Sequence, residues 1–356
     1  MNRKHNPAAN GVPHKVRAAP AQPPGTLSVG QIVNGTFRVA RKLGKGTFGV
    51  VYLGNHVVTG QVVAIKSESR DKRYMLTHEC EIYRDLLQAP CPPLVPNIYW
   101  YGYVGDVRVM VMQNLGNTLD YLLQHKCGGR FSLKTTLMLG LQMLDSIRNL
   151  HSAYYIHRDL KPENFLMGTI SGGTNTRGHV YLIDFGLAKR YKSPDHIHIK
   201  ERNDKKLVGT ARYASANSHN GLELSRRDDL ESLAYILIYF LKGTLPWQGL
   251  PVASREAKYK AIGDCKSQIT PEALTEGLPI QFGQFLRCIR ALGFKEKPPY
   301  DYLRGLLSNL FRDLRYQYDY QFDWTDAITE TSVGAPLDQA HQLRVSGKTA
   351  LAGPAA

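Results

Sequence analysis

Short apolar stretches broken by glycine dominate the first third of the chain. "TFRVARKLG" (36–44), "GVVYLGNHVV" (49–58) and "QVVAIKSES" (61–69) each read as a strand ended by a turn. "YMLTHECEIYRDLLQ" (74–88) predicts one helix, and "VRVMVMQNLG" (107–116) a further buried strand. After residue 116 the spacing of apolar positions lengthens to that of helices. "FSLKTTLMLGLQMLDSIRNLHS" (131–152) shows it, as do 228–242 and 280–292. The pattern predicts an α+β architecture, a small sheet-rich part followed by a larger helical one. There is no internal repeat.

Composition marks the ends. Residues 1–33 are rich in Pro, Ala and Gly with basic residues, and read as a disordered arm. The folded part is expected over 34–325, and a flexible tail of Ala, Gly and Ser over 326–356. Apolar residues make up 43% of the 356, enough for a sizeable core. No apolar run approaches a membrane span, and the N-terminus has no apolar signal segment, so a soluble, cytoplasmic protein is expected, with the nucleus left open. Five cysteines without a CxxC pair favour neither zinc nor a disulfide framework. The formal charge of +15 allows nucleic acid, an acidic membrane or an acidic protein as partner. Only its placement can decide.

The segment "LGKGTFGVVYLG" holds Gly44, Gly46 and Gly49 in GxGxxG. Such a loop brings backbone amides close to phosphate, but it also occurs in dinucleotide folds and plain hairpins. Here a strand signal follows, not a helix, which fits a phosphate flap between antiparallel strands. Phe48 would cap the flap and Val51 would lie against a purine. "VVAIK" ends in Lys66, beneath that flap, where an ammonium can reach phosphates. A lysine held in place needs a carboxylate. Helix 74–88 offers Glu79 and Glu81, which point to different faces; Glu79 is the preferred partner.

"YIHRDLKPENFLMG" carries the strongest chemistry. Asp159 can accept a hydroxyl proton, Lys161 can stabilise a γ-phosphate, and Asn164 can ligate Mg2+. "LIDFGLA" adds Asp184, after an apolar strand and before a freely turning glycine, as a second metal ligand. Flap, lysine, HRDxxxxN and DFG in this order match the protein kinase signature, with ATP and Mg2+ as cofactors.

"HRDLKPENFLMG", "IDFGLAKRY", "GTARYASAN", "SRRDDLESLAY", "LPWQGL" and "YDYQFDW" make the chain resemble the casein kinase 1 family over about 34–325. The resemblance implies a bilobal kinase fold, N-lobe 34–112 and C-lobe 113–325, and a non-specific serine/threonine protein kinase. It implies ATP contacts along Leu43, Gly44, Lys45, Gly46, Thr47, Phe48, Gly49, Val50 and Val51, then Ala64, Lys66, the gatekeeper Met112, the hinge around Gln113 and Leu115, and Leu166 beneath the adenine. It also implies substrates with acidic or phosphorylated residues, held by Arg212, Gly249 and Lys258. For Arg212 an internal ion pair is the alternative. A second basic group, Arg158, Lys189 and Lys205, surrounds the activation segment, with activity independent of phosphate there. Ser193 and Thr210 stand as possible regulatory sites, and Asp229 is expected to hold the catalytic-loop backbone. The segment also departs from the common kinase pattern: Ser215-Ala216-Asn217 replaces Ala-Pro-Glu.

Two other classes were open. A scaffold without chemistry would lack Lys66, Asp159 or Asp184, and all three are present. A nucleic-acid binder would interleave basic and aromatic residues on one face. Several basic residues fall instead around the substrate cleft, so no nucleic-acid partner and no oligomer are expected.

Overall fold

A computed structural model describes residues 26–45, 49–69, 75–171, 174–251 and 254–325. A six-stranded antiparallel sheet forms first, from β1 (Ile32–Val33), β2 (Phe37–Lys45), β3 (Val50–His56), β4 (Val62–Ser69), β5 (Ile98–Val104) and β6 (Val107–Gln113), in the order β1-β2-β3-β4-β6-β5. Helix α1 (Met75–Leu87) interrupts it between β4 and β5. Strand β6 alternates between two cores. Val109 and Val111 face the sheet's own cluster with Val33, Val39, Val63 and Ile65, whereas Met110 joins the larger core below. That is the period-two signature of a strand buried on both faces.

The arm expected over 1–33 ends earlier than composition suggests. Leu27 is buried in the sheet core and its N–H donates to Tyr52 Oη at 3.0 Å, while β1 pairs with the start of β2. Two apolar anchors, Leu27 and Val33, are enough to fix 26–33 onto the sheet. Residues 1–25 and 326–356 lie outside the described residues.

Below the sheet come α2 (Leu119–His125), α3 (Leu133–Ser152), the short strands β7 (Tyr155–Ile156), β8 (Phe165–Met167), β9 (Ile170–Ser171), β10 (Thr174–Asn175), β11 (Val180–Leu182) and β12 (Lys189–Arg190), then α4 (Ala216–His219), α5 (Arg226–Lys242), α6 (Arg255–Gln268), α7 (Pro271–Leu274), α8 (Ile280–Arg290) and α9 (Tyr300–Asp313). Nearly every residue of α5 is buried, charged ones included. A helix covered all round is a central pillar, and α3 and α8 both pack on it. The closing aromatic segment straps onto α3. Asp323 accepts from the N–H and Oγ of Ser132, the N-cap of α3, at 2.6 Å each. Phe322 stacks on Trp324, and Trp324 meets Phe131.

Candidate active site

Strand register places the first cluster. In the β3–β4 ladder Val51 lies opposite Lys66, and in the β4–β6 ladder Ala64 lies opposite Met112. In the β2–β3 ladder Gly44 faces Val51 and Lys45 faces Val50, with Leu43 at the register shift beside them. Gly49 runs against β4: a side chain there would begin 2.0 Å from the Ser67 carbonyl oxygen, so only glycine fits. Gly46, Thr47 and Phe48, the flap tip, lie outside the described residues. From below, Leu166 on β8 is half-buried and bridges Thr118; the Gly116 N–H donates to Met167 O at 2.8 Å, which brings the 113–116 hinge over β8.

Lys66 reaches α1. Its Nζ lies 2.6 Å from Glu79 Oε2 and 3.2 Å from Asp184 Oδ1. Of the two helix carboxylates, Glu79 is buried with Leu76, Ile82, Tyr83 and Leu86, and Glu81 is exposed. Burial works against the Lys66 ammonium, but Asp184 and Glu79 outweigh it and raise its pKa above the usual lysine value. The start of α1 is fixed separately. Glu68 on β4 accepts from the Leu76 N–H at 3.3 Å and pairs with buried Arg108 on β6 at 3.2 Å.

Asp184 adopts a left-handed backbone, φ 68°. Its N–H donates to Tyr83 Oη at 3.2 Å, and the next residue, Phe185, is buried edge-on against Tyr83 and also meets the His157 ring. Burial alone would raise the Asp184 carboxyl, but Lys66 and Lys161 hold it below the usual aspartate value.

The catalytic-loop residues converge on Asp159. Lys161 Nζ lies 2.7 Å from its Oδ2, while the Thr210 N–H and hydroxyl both donate to its Oδ1 at 2.8 Å. Burial opposes the Lys161 charge, but Asp159 outweighs it and the pKa rises. Asn164 Nδ2 donates to Asp159 O at 2.9 Å, which leaves the amide oxygen for another ligand. Gly209, at φ +85°, lets Thr210 approach Asp159 Oδ1. A side chain there would sit 2.4 Å from Arg158 O. Beneath the loop, Asp229 on α5 accepts from the N–H groups of His157 and Arg158 at 2.7 and 2.9 Å, and lies 2.9 Å from His151 Nε2.

These distances bring Lys66, Glu79, Asp184, Asp159, Lys161 and Asn164 into one cleft between sheet and helices. The family model for the protein kinase domain matches residues 37–278, more than half of the chain. This chain belongs to the protein kinase family. A kinase domain of this kind transfers phosphate to protein substrates, and its cofactors are ATP and typically Mg2+. The donors fit a magnesium nucleotide. Asp184 keeps one oxygen beyond the Lys66 contact, and Asn164 keeps its own. Among the described residues no group of three or more His, Cys, Asp or Glu could hold a metal unaided. Two protein oxygens fit Mg2+ shared with phosphates.

The substrate side of the kinase is held by different means. Arg212 follows Thr210 closely, and its guanidinium lies over the Tyr213 and Tyr239 rings at 5.7 and 5.5 Å. Among the described residues no carboxylate lies within ion-pair distance of it, so the internal ion pair weighed for Arg212 is absent. Trp247 Nε1 donates to Arg212 O at 2.8 Å, two residues before Gly249, which is exposed at φ +73°. His219 ties Ala211 O to Tyr259 O, at 3.1 and 3.0 Å. Lys258, the residue before Tyr259, is exposed.

Sequence reasoning missed several supports. The Ser215-Ala216-Asn217 stretch is tied to α5, where Asp228 Oδ1 accepts from Ser215 Oγ at 2.7 Å and Asn217 Nδ2 at 2.9 Å. Fully buried Lys266 donates to Ala211 O and Ala214 O, bracketing Arg212. Thr210, read only as a possible phosphorylation site, contacts Asp159. Its position two residues before Arg212, on the segment expected to carry substrate, was the available signal.

Proposed function

We propose that this kinase transfers the γ-phosphoryl group of ATP to serine or threonine in acidic or phosphate-primed proteins, a casein kinase 1 type of activity. The observation that carries the proposal is the double grip on Asp159, by Lys161 on one oxygen and Thr210 on the other. It fixes the carboxylate against the segment that leads to Arg212. A serine or threonine hydroxyl is only two bonds from its backbone. Its peptide must therefore run close to the carboxylate, along that segment.

Bound ATP supplies the phosphoryl group, and Mg2+ neutralises the charge on it. Asn164 and Asp184 would hold the metal. Lys66, steadied by Glu79, would orient the α- and β-phosphates. Val51, Ala64, Met112 and Leu166 would enclose the adenine, with Gln113 and Leu115 at its edge. Asp159 orients the acceptor hydroxyl and takes its proton, and Lys161 faces the moving charge. Arg212 supports the substrate preference. It is a planar fork that makes no ion pair among the described residues, suited to a phosphate, and Lys258 and the Gly249 backbone would complete the anion site. The proposal includes a monomer working in the cytoplasm.

The test is transfer to three peptide types, acidic, phosphoserine-primed and tyrosine-bearing, with Lys66→Met as control. Serine and threonine peptides should be phosphorylated, and the control should be silent. Arg212→Ala with Lys258→Ala should lower kcat/KM for the primed peptide about tenfold to a hundredfold, as loss of charge-assisted bonds implies, and spare the unprimed one. Transfer to tyrosine, or equal losses on both peptides, would overturn the reading.

A further inference from the structure

Arg212 and Lys258 are carried by separate elements, and those elements meet at one histidine. Lys258 lies in the first half of α6, and the buried residues of that helix, Ile262, Gly263 and Lys266, all come later. The side-chain bonds of the first half stay close to home. Ser254 Oγ accepts from the Ala257 N–H, Arg255 reaches Tyr259 Oη, and Lys260 reaches Asp264. The tie outward is the Tyr259 carbonyl, 3.0 Å from His219 Nδ1. His219 ends α4, which is fixed from behind by Asp228 on α5 through Ser215 and Asn217. Its ring lies against α6 at Gly263, where a side chain would begin 2.8 Å from His219 Cβ. Glycine weakens a helix interior, and here it makes a notch that the histidine fills. Burial and the Lys266 charge hold the His219 pKa below the usual histidine value, so the ring is neutral near pH 7 and carries one N–H. Ala211 O already accepts from Lys266 Nζ at 2.8 Å, which leaves the imidazole N–H for Tyr259 O. Nε2, 3.1 Å from Ala211 O and 3.5 Å from Lys266 Nζ, closes the ring of contacts.

We propose that His219, seated in the Gly263 notch, sets the spacing between Arg212 and Lys258, and so selects how far from the acceptor hydroxyl a substrate's phosphate must lie. The inference rests on the substrate reading proposed above. One phosphate can be bonded by both cations at once only if their backbones stand at the right separation. Both side chains are long, and holding them costs rotamer freedom; fixing the backbones beforehand lowers that cost. Ala211 precedes Arg212 and Tyr259 follows Lys258, so the contacts at His219 act one residue away from each cation. Trp247 steadies the Arg212 carbonyl independently. The half of α6 that bears Lys258 is tied outward by His219, and there the imidazole matters most. His219 acts through backbone carbonyls and is therefore a positioning residue.

The test uses the full chain and a set of serine peptides in which one phosphoserine is moved a position at a time along the peptide, with an unprimed peptide as reference. The wild type should favour a narrow range of spacings. His219→Ala removes the ring, and Gly263→Ala drives a methyl group against it while favouring the helix itself. Each should lower the ratio of kcat/KM, best primed peptide over unprimed, about tenfold, the value of one charge-assisted hydrogen bond, and flatten the dependence on spacing. His219→Asn places an amide N–H where Nδ1–H stands and should keep most of that dependence. His219→Gln, one methylene longer, should lose it. Should His219→Ala fold poorly, Gly263→Ala and the Asn–Gln comparison still decide. Equal losses on primed and unprimed peptides, or an unshifted profile in Gly263→Ala and His219→Gln, would overturn this inference alone, provided that Arg212→Ala with Lys258→Ala abolishes the preference. A wild type indifferent to priming would overturn it together with the substrate reading.

Discussion

Replacing Asp229 with asparagine probes how the pillar helix holds the catalytic loop. Asp229 Oδ2 takes the His157 N–H at 2.7 Å and sits 2.9 Å from His151 Nε2, while Oδ1 takes the Arg158 N–H at 2.9 Å. Asparagine keeps one oxygen. If that oxygen faces the two histidines, its NH2 group meets the Arg158 N–H donor to donor. One buried N–H is then unpaired and a charge-assisted bond is lost, at about 3 kcal/mol. For a domain of this size that is a fall of roughly 5–10 °C in Tm. Arg158 directly precedes Asp159, so the displacement reaches the reacting carboxylate. A loss of 1.5–3 kcal/mol in the transition state, on the order of ten- to hundredfold in kcat, is expected. KM for ATP should change little, because Lys66 is fixed from the sheet and α1. Calorimetry and steady-state kinetics read both effects. An unchanged Tm together with an unchanged kcat would refute the reasoning.

The same substitution tests the pH dependence of stability. Burial alone would raise the Asp229 carboxyl, but the bonds and charge of His151 and His157 hold it below the usual aspartate value. A carboxyl depressed in the fold stabilises it above the unfolded pKa, about 4, and loses that contribution as pH falls through the folded pKa. Burial lowers the His151 pKa against the pull of Asp229. A histidine depressed in the fold favours the unfolded chain once pH drops below about 6.5, because the unfolded chain takes the proton first. Both shifts make acid destabilising. Asp229→Asn removes the carboxylate part, so unfolding free energy against pH should be flatter below about pH 4 than in the wild type.

Thr210→Val keeps the backbone N–H bond to Asp159 and removes the hydroxyl bond of the same length. It should lower kcat by about tenfold, the value of one hydrogen bond to a charged group, while Thr210→Ser keeps the wild-type rate; equal rates for all three would refute a role for the hydroxyl. Lys266→Met leaves the Ala211 and Ala214 carbonyls without their buried donor. A loss of about 2–4 kcal/mol in urea unfolding is expected, with a reduced preference for primed peptides as Arg212 loosens, and an unaltered preference would show that Arg212 is held by its aromatic neighbours alone.

What could be read from sequence follows the range of the interactions. Strand and helix positions are set by local periodicity, and Met75–Leu87 lies within the predicted 74–88. The choice between Glu79 and Glu81 was also available. Glu79 falls in step with Leu76, Ile82, Tyr83 and Leu86 on the apolar face, and a carboxylate on that face needs a cation inside. By contrast, the strand at Ile32–Val33 is two residues long and depends on β2 for its existence. Periodicity cannot register a segment that short. Arg108 and Glu68, 40 positions apart, show nothing locally beyond a charge on each of two apolar strands.

The charge balance was the hardest feature to interpret, because +15 says how many cations there are and not which are already answered. Several of the cations around the cleft are internally satisfied. Lys66 is taken by Glu79 and Asp184, Lys161 by Asp159, and Lys189 and Lys205 by Glu223. Arg290 reaches Glu231 and backbone carbonyls, and Lys266 reaches carbonyls, His219 and aromatic rings. Arg212 differs. Its carbonyl is fixed by Trp247 and its guanidinium rests on tyrosines; among the described residues it makes no ion pair, and Glu163 acts on it only at longer range. A cation that is positioned yet makes no ion pair among the described residues is a better indicator of an anionic ligand than any excess of charge in the composition. Burial and pairing, both properties of the folded chain, therefore decide which arginine can recognise substrate.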